Sequence, residues 1–162
     1  MNNIEEYIRE NFHYTPETGI LWKRFSRYWR ECGTINGGGY LKVGVCYKEK
    51  YVHRVAFFLM TGRWTKEIDH IDRNRSNNIW SNLRECTKSE NKANSTKQSN
   101  NTSGYKGVSW HKRTNKFRAQ IKFQKKLIHI GLFTSAEEAA AAYNTKAIEL
   151  NGEFAGINVI KQ

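Results

Sequence analysis

Asp69 and His70 are adjacent, and Asn82 and Asn91 follow 12 and 21 residues after the histidine. Those residue types suit hydrolysis of a phosphodiester. Such a reaction needs an activated water and relief of charge on the leaving oxygen. A neutral imidazole is a fitting base near pH 7. An Asp carboxylate and an Asn amide oxygen are hard ligands that suit Mg²⁺ or Mn²⁺. Asp69 and Asn91 are therefore candidate ligands of one divalent ion, and His70 is the candidate base. The residue types alone leave a second reading open. Asp69-His70 is also an ordinary polar pair, and Asn and Asp are common in turns for backbone reasons.

The spacings suit a strand, a loop, a second strand and a helix folding back on the first strand. The surrounding sequence supplies such elements. Thr87 to Glu90 reads as a T-x-x-E capping box, which puts Asn91 near the start of a helix. Upstream, Ile4, Tyr7 and Ile8 share one helical face. Glycine-bounded runs at 19–22 and 39–43, and Lys50-Tyr51-Val52, read as strands. A helix is expected from His53 to Thr61, with Gly62 as its stop. His53 opens that helix and has two readings, a contact to DNA or the active site, or a structural role.

Composition limits the partners. Lys and Arg number 27 against 15 Asp and Glu, a formal charge of +12. Such an excess favours a polyanion, because each neutralised phosphate releases counterions. No apolar run approaches the roughly 20 residues of a membrane span, so no membrane partner is expected. The N-terminal MNNIEEYIRE lacks a basic-then-apolar signal, and a cytoplasmic location is expected. Cys32, Cys46 and Cys86 form no C-x-x-C pair, which argues against a thiolate zinc site.

The run from Ser95 to Gly104 holds no apolar residue and reads as a linker. The expected organisation is a first domain over 1–94, with its core at about 66–94, and a second over 105–162. Residues 1–92 carry 16 basic and 11 acidic residues, a net of +5; residues 93–162 carry 11 and 4, a net of +7. Both parts suit the same polyanion. In the second, Tyr105–Trp110, Lys116–Phe123 and Leu127–Phe133 read as strands. Ser135 and Glu138 read as a capping box opening an alanine-faced helix. Eight basic residues and no acidic one lie between Tyr105 and Phe133. Alternation sends Arg118, Gln120 and Lys122 to one face of the sheet, and Phe117, Ala119 and Ile121 to the other. The polar face is free to enter a major groove.

Two resemblances sharpen these expectations. Val52-His53-Arg54, Ile68-Asp69-His70-Ile71-Asp72, Asn74, Asn77-Asn78, Asn82-Leu83-Arg84 and Glu90-Asn91 resemble the HNH homing endonucleases of phages and introns. The resemblance covers roughly 14–94. It implies a β-β-α-metal (His-Me finger) domain in which His70 is the general base, Asp69 and Asn91 hold the metal, and Asn82 orders the loop between the two strands. The last motif position is Asn rather than the common His, an H-N-N variant that disfavours retained zinc. The implied reaction is metal-assisted attack of water on double-stranded DNA, leaving 5′-phosphate and 3′-hydroxyl ends. Arg73 and Arg75, on the loop, are candidates to grip flanking phosphates.

The second resemblance runs over about 104–159, carried by Tyr105-Lys106-Gly107-Val108, Lys116-Phe117-Arg118-Ala119-Gln120-Ile121, Ile130-Gly131-Leu132-Phe133, Glu137-Glu138-Ala139-Ala140 and Ala142-Tyr143. It is to the plant ethylene-response-factor DNA-binding domain. It implies base reading by Lys106, Ser109, His111, Arg113, Gln120, Lys122 and His129 on the outer face of a three-stranded antiparallel sheet packed on one helix; Arg118 joins them by strand alternation. The fold class expected for the whole chain is α+β, and a monomer is expected. The competing expectation is a non-catalytic, sequence-specific DNA-binding regulator on the same scaffold; charge alone also permits an RNA-binding protein.

Overall fold

Val52–Thr61 carries a nearly unbroken apolar run, VHRVAFFLMT, and forms a helix whose first seven residues include six buried ones. In chain order the regular elements before and around it are α1 (Ile4–Asn11), β1 (Phe12–Thr15), β2 (Ile20–Phe25), β3 (Tyr28–Cys32), β4 (Thr34–Ile35), β5 (Leu41–Val45), β6 (Lys48–Tyr51), this helix α2, β7 (Glu67–His70) and β8 (Leu83–Cys86). The computed structural model describes residues 4–97 and 99–160. Gly62 closes α2 in the left-handed region (φ 73°), its N–H bonded to Phe58 O, a conformation that a Cβ would penalise.

The chain divides into two units, Met1–Thr87 and Lys88–Gln162. In the first, β1–β2–β3 and β4–β5–β6 make two antiparallel sheets, and β7 pairs with β8. Ile8, Phe12, Tyr14, Leu21, Val45, Val55, Phe58 and Leu83 are among the side chains of one core. The β7–β8 register sets Asp69 opposite Arg84 and His70 opposite Leu83. That register decides which side chains can meet at the site.

The second unit contains α3 (Lys88–Asn94), β9 (Val108–His111), β10 (Lys116–Phe123), β11 (Lys126–Phe133) and α4 (Ala136–Asn151). The sheet order is β11-β10-β9, antiparallel throughout. Ser135 caps α4: its hydroxyl accepts from Glu138 N–H (3.1 Å), and the Glu138 carboxylate accepts from Ser135 N–H. Ala136, Ala139, Ala140, Tyr143 and Ala147 are buried, so small side chains let α4 lie close on the sheet. Gly107 has φ 75°, and a Cβ there would stand 2.2 Å from the Tyr143 ring.

α3, expected with the first part of the chain, packs with the second. Its C-terminal carbonyl at Ala93 accepts from Gly156 N–H (3.0 Å) and from Lys106 Nζ (2.5 Å), which also donates to Ser95 O. The stretch expected to be a linker is partly tied down as well. Asn101 Nδ2 donates to Tyr105 O and Val108 O, and Ser103 Oγ to Val108 O. Gln98, within that stretch, lies outside the described residues, as do residues 1–3 and 161–162 of the two expected domains.

Two asparagines clasp the C-terminal tail. Asn144 bonds both backbone groups of Asn158 (2.9 and 2.7 Å), and the Asn158 side chain bonds both backbone groups of Lys106 (2.7 and 3.1 Å). Asn158→Ala removes the second clasp and leaves two part-buried backbone groups to find new partners. The expected loss is about 1–3 kcal/mol, read as a lower urea midpoint. A midpoint unchanged from wild type contradicts the clasp.

Candidate active site

β7 is short and covered on both sides, so Asp69 and His70 are each 4% exposed. A buried carboxylate needs a partner. Arg84, directly across the β7–β8 pair, donates to Asp69 Oδ2 from Nε (2.9 Å) and Nη2 (2.7 Å). His70 Nε2 lies 3.1 Å from Asn78 Oδ1. Asn78 Nδ2 donates to Ser76 O (3.4 Å), which fixes Oδ1 as the acceptor toward the ring. Nε2 therefore carries the proton, and Nδ1 carries the lone pair. Burial lowers the His70 pKa below 6.5, against smaller opposing effects of the Asn78 hydrogen bond and of Asp72 and Asp69. The ring is neutral at pH 7, as a base requires.

Asn82, 8% exposed, spends its amide on the loop between β7 and β8. Its Oδ1 accepts from Asp72 N–H (2.9 Å), and its Nδ2 donates to Asp72 Oδ1 (2.9 Å) and Asn77 O (2.8 Å). Asp72 also accepts from Asn74 N–H and Asn77 Nδ2. Burial pushes the Asp72 carboxyl up, but these hydrogen bonds outweigh it and hold the group below its ordinary range. The loop is thus a closed hydrogen-bonded turn beside the site. Arg73 and Arg75 are both exposed on it. Arg75 is anchored, donating to Gly38 O (2.9 Å) with its guanidinium 4.9 Å from the Tyr40 ring centroid.

The structure brings Asp69, His70 and Asn82 together in the first unit. Asn91 lies half-buried on α3, in the second unit. Several neighbours carry no assigned role in the sequence. Asn78 and Arg84 belong to the segment that resembles the HNH family but have no task there, and Tyr40, with its ring centroid 5.9 Å from that of His70, is part of a strand run.

His53 settles against the same imidazole. It is 6% exposed, stacked on Tyr51 (5.4 Å), tilted against Tyr40 (5.4 Å) and edge-on to His70 (5.0 Å). Its Nδ1 is buried with no hydrogen-bond partner among the described residues. Burial, with smaller effects of His70 and Arg54, pushes its pKa down to about 3. The unfolded chain takes up a proton near pH 6.5, whereas the folded chain does so only near 3. The stabilisation is complete above pH 6.5 and is lost as pH falls through that window, at about 1.4 kcal/mol per pH unit. Between pH 6.5 and 5 wild type is expected to lose about 2 kcal/mol more stability than His53→Phe. Urea titrations at the two pH values measure this; parallel losses contradict it.

In the second unit, cross-strand pairing places the expected reading residues on one face. Ser109 pairs with Arg118, His111 with Lys116, and Gln120 with His129, while Lys122 follows two residues after Gln120. Arg118 Nη2 donates to Ser109 Oγ (3.4 Å), and Arg113 is exposed in the turn. Lys106 departs from the expectation: its ammonium is bound to the carbonyls ending α3 rather than presented with the others. A cavity of about 640 Å³ in this unit is lined by Lys88, Lys92, Lys97, Lys106, Lys122 and Lys125, with no carboxylate in its lining.

The donor chemistry bears on a metal. Among the described residues no group of three or more His, Cys, Asp and Glu is placed to hold an ion. A single carboxylate such as Asp69 suits Mg²⁺, which keeps several waters and is often held by one or two carboxylates plus substrate phosphates. No described helix is long and apolar enough to cross a membrane.

Residues 50–93, from β6 into α3, match the family model described as HNH endonuclease. Over that segment the chain carries an HNH endonuclease domain. It is 38% identical over 88 residues to Protein 3.8 of Escherichia phage T7, covering 54% of this chain and 72% of that protein. It is also 38% identical over 93 residues to an uncharacterized HNH endonuclease, L560, of Acanthamoeba polyphaga mimivirus, covering 57% of this chain and 47% of that one. The chain thus spans about half the length of the mimivirus relative. Among solved structures it is similar to one titled "DNA binding and cleavage by the HNH homing endonuclease I-HmuI", with 25% identity over 48% of this chain and 47% of the other and a TM-score of 0.37.

Proposed function

We propose that this chain is a metal-dependent, homing-type endonuclease that cuts double-stranded DNA, with a C-terminal ethylene-response-factor-like module that adds recognition. The single observation that carries the proposal is a neutral, buried imidazole at His70, adjacent in sequence to the buried carboxylate of Asp69. His70 Nδ1 takes a proton from the attacking water as the oxygen–phosphorus bond forms and the bond to the 3′ oxygen breaks. Asn82 keeps the intervening loop in place. Asp69 and, through the family resemblance alone, Asn91 are the residues to hold one Mg²⁺ or Mn²⁺. When bound, that ion supplies positive charge for the phosphate and the departing 3′ oxygen. The products are 5′-phosphate and 3′-hydroxyl ends, and one active site in a monomer cuts one strand at a time.

Recognition is assigned to the outer face of the β9–β11 sheet, with Ser109, His111, Arg113, Arg118, Gln120, Lys122 and His129. Arg73 and Arg75 are assigned to flanking phosphates. The lysine-lined cavity supplies further positive charge for the duplex. The test is mapping of both strands of a cut duplex at nucleotide resolution. Ligatable 5′-phosphate ends, dependent on added Mg²⁺ or Mn²⁺, are expected. Tight duplex binding with no cut in either metal identifies a non-catalytic DNA-binding regulator instead.

A further inference from the structure

We propose that Asn78 is the positioning residue for the His70 imidazole, and that the β1–β2 hairpin serves the site by holding Asn78 still. The inference rests on the reading of His70 as the base. A neutral imidazole has one N–H and one lone pair, and the partner of the first decides where the second points. Asn78 Oδ1 lies 3.1 Å from His70 Nε2, and the Asn78 side chain is oriented in turn by Ser76 O. Asn82, the middle motif residue, does a different job: its amide is bonded to Asp72 and Asn77. One asparagine fixes the loop, and the other fixes the base.

Asn78 is 2% exposed, although it sits in a run of polar loop residues. The cover comes from a hairpin about 60 residues earlier in the chain. Tyr14 Oη donates to Asn78 O (2.5 Å), and Trp80 N–H donates to Pro16 O (2.9 Å). Gly19 adopts φ 73°, and a Cβ there would lie 2.5 Å from Asn78 C and from Ile79 N. The hairpin therefore presses on the backbone of residues 78–80 at three points. Tyr14, Pro16 and Gly19 all lie outside the 50–93 segment that matches the family model. They give this upstream segment a task in positioning a group required for the chemistry, through a side chain held within about 3 Å of it.

The experiment uses the full chain with ¹⁵N-labelled histidine. At pH 8 the two ring nitrogens of His70 report which one is protonated. Wild type is expected to show a single Nε2–H tautomer. Asn78→Leu, which keeps the volume and removes the acceptor, is expected to give a mixed tautomer and a 10- to 100-fold lower kcat on duplex DNA, with KM within about twofold. Asn78→Asp restores an acceptor in nearly the same shape and is expected to restore the Nε2–H signal and most of kcat. Tyr14→Phe is expected to shift the His70 signals in the same direction as Asn78→Leu, by less. Should Asn78→Leu not fold, Asn78→Ser takes its place, withdrawing the acceptor from the ring by shortening the side chain. His70 signals and kcat that are indifferent to Asn78→Leu or Asn78→Ser overturn the positioning role while leaving the nuclease reading intact. A wild-type chain that cuts no DNA, yet whose His70 tautomer responds to Asn78, overturns the nuclease reading and upholds the positioning contact.

Discussion

His70→Ala is expected to lower duplex cleavage by about 10²- to 10⁴-fold, the range associated with a positioned acid or base. DNA binding is expected to stay within about twofold, because His70 is buried and the exposed cations lie elsewhere. The ring is neutral at pH 7 because burial disfavours the imidazolium, and its Nε2 proton is committed to Asn78. A base with a lowered pKa stays deprotonated further into acid, so wild-type activity is expected to persist below the 6.5 of free imidazole before it falls. Rate and binding measured on one labelled duplex separate the possibilities. A parallel loss of both contradicts the assignment.

Arg84→Ala has the largest expected effect on stability. Asp69 and Arg84 face each other across a two-stranded pair, with side chains 5% and 13% exposed. Removing the guanidinium deletes two charge-assisted hydrogen bonds from a carboxylate that solvent hardly reaches. Breaking a buried pair on one side costs about 3–5 kcal/mol. For a unit of this size that is a fall in Tm of more than about 10 °C. The double variant Asp69→Leu/Arg84→Leu is expected to recover part of the loss, since no charge is then left buried. Arg63 and Glu85 are also paired across this region, but their side chains are 58% and 41% exposed. Arg63→Ala is the control, with little expected change. Calorimetry on the three variants decides. A small loss for Arg84→Ala contradicts the burial argument.

The parts of the fold legible in the sequence are those whose signal is local. Gly62 after an apolar run marks the end of α2, and Ser135 with Glu138 marks the start of α4; both act through neighbouring backbone groups. The HNH endonuclease domain was legible for the same reason, since its motif lies in one continuous stretch. β3 was not legible. Its burial pattern is almost uniformly exposed, and Arg30 and Glu31 break any alternation. The affiliation of α3 was hidden too, because KSENKAN has no apolar face and its partners, Gly156 and Lys106, come later in the chain. Lys106 shows the limit of carrying a role over from a resemblance. Its sequence context read as a DNA contact, but a helix end with unmet carbonyls takes the ammonium.

The candidate site divides along the same line. Asp69, His70 and Asn82 stand out by type and spacing. Asn78 lies within the motif, but its task is hidden there, because it depends on burial supplied by Tyr14 and Gly19 from a distant hairpin. Arg84 is also a motif residue, but nothing local names its partner until the strand register sets it against Asp69. His53 had two open readings. Its contact with His70 makes it part of the wall of the site, and its neutral ring makes it a source of acid sensitivity.

The most direct measurement incubates the purified chain with supercoiled plasmid in Mg²⁺, in EDTA, and in Mg²⁺ with His70→Ala. Relaxed or linear product in the first sample alone, with equal plasmid retardation by wild type and variant, is the result predicted for a metal-dependent endonuclease that uses His70. Supercoiled plasmid left intact in all three samples, with retardation preserved, would contradict it.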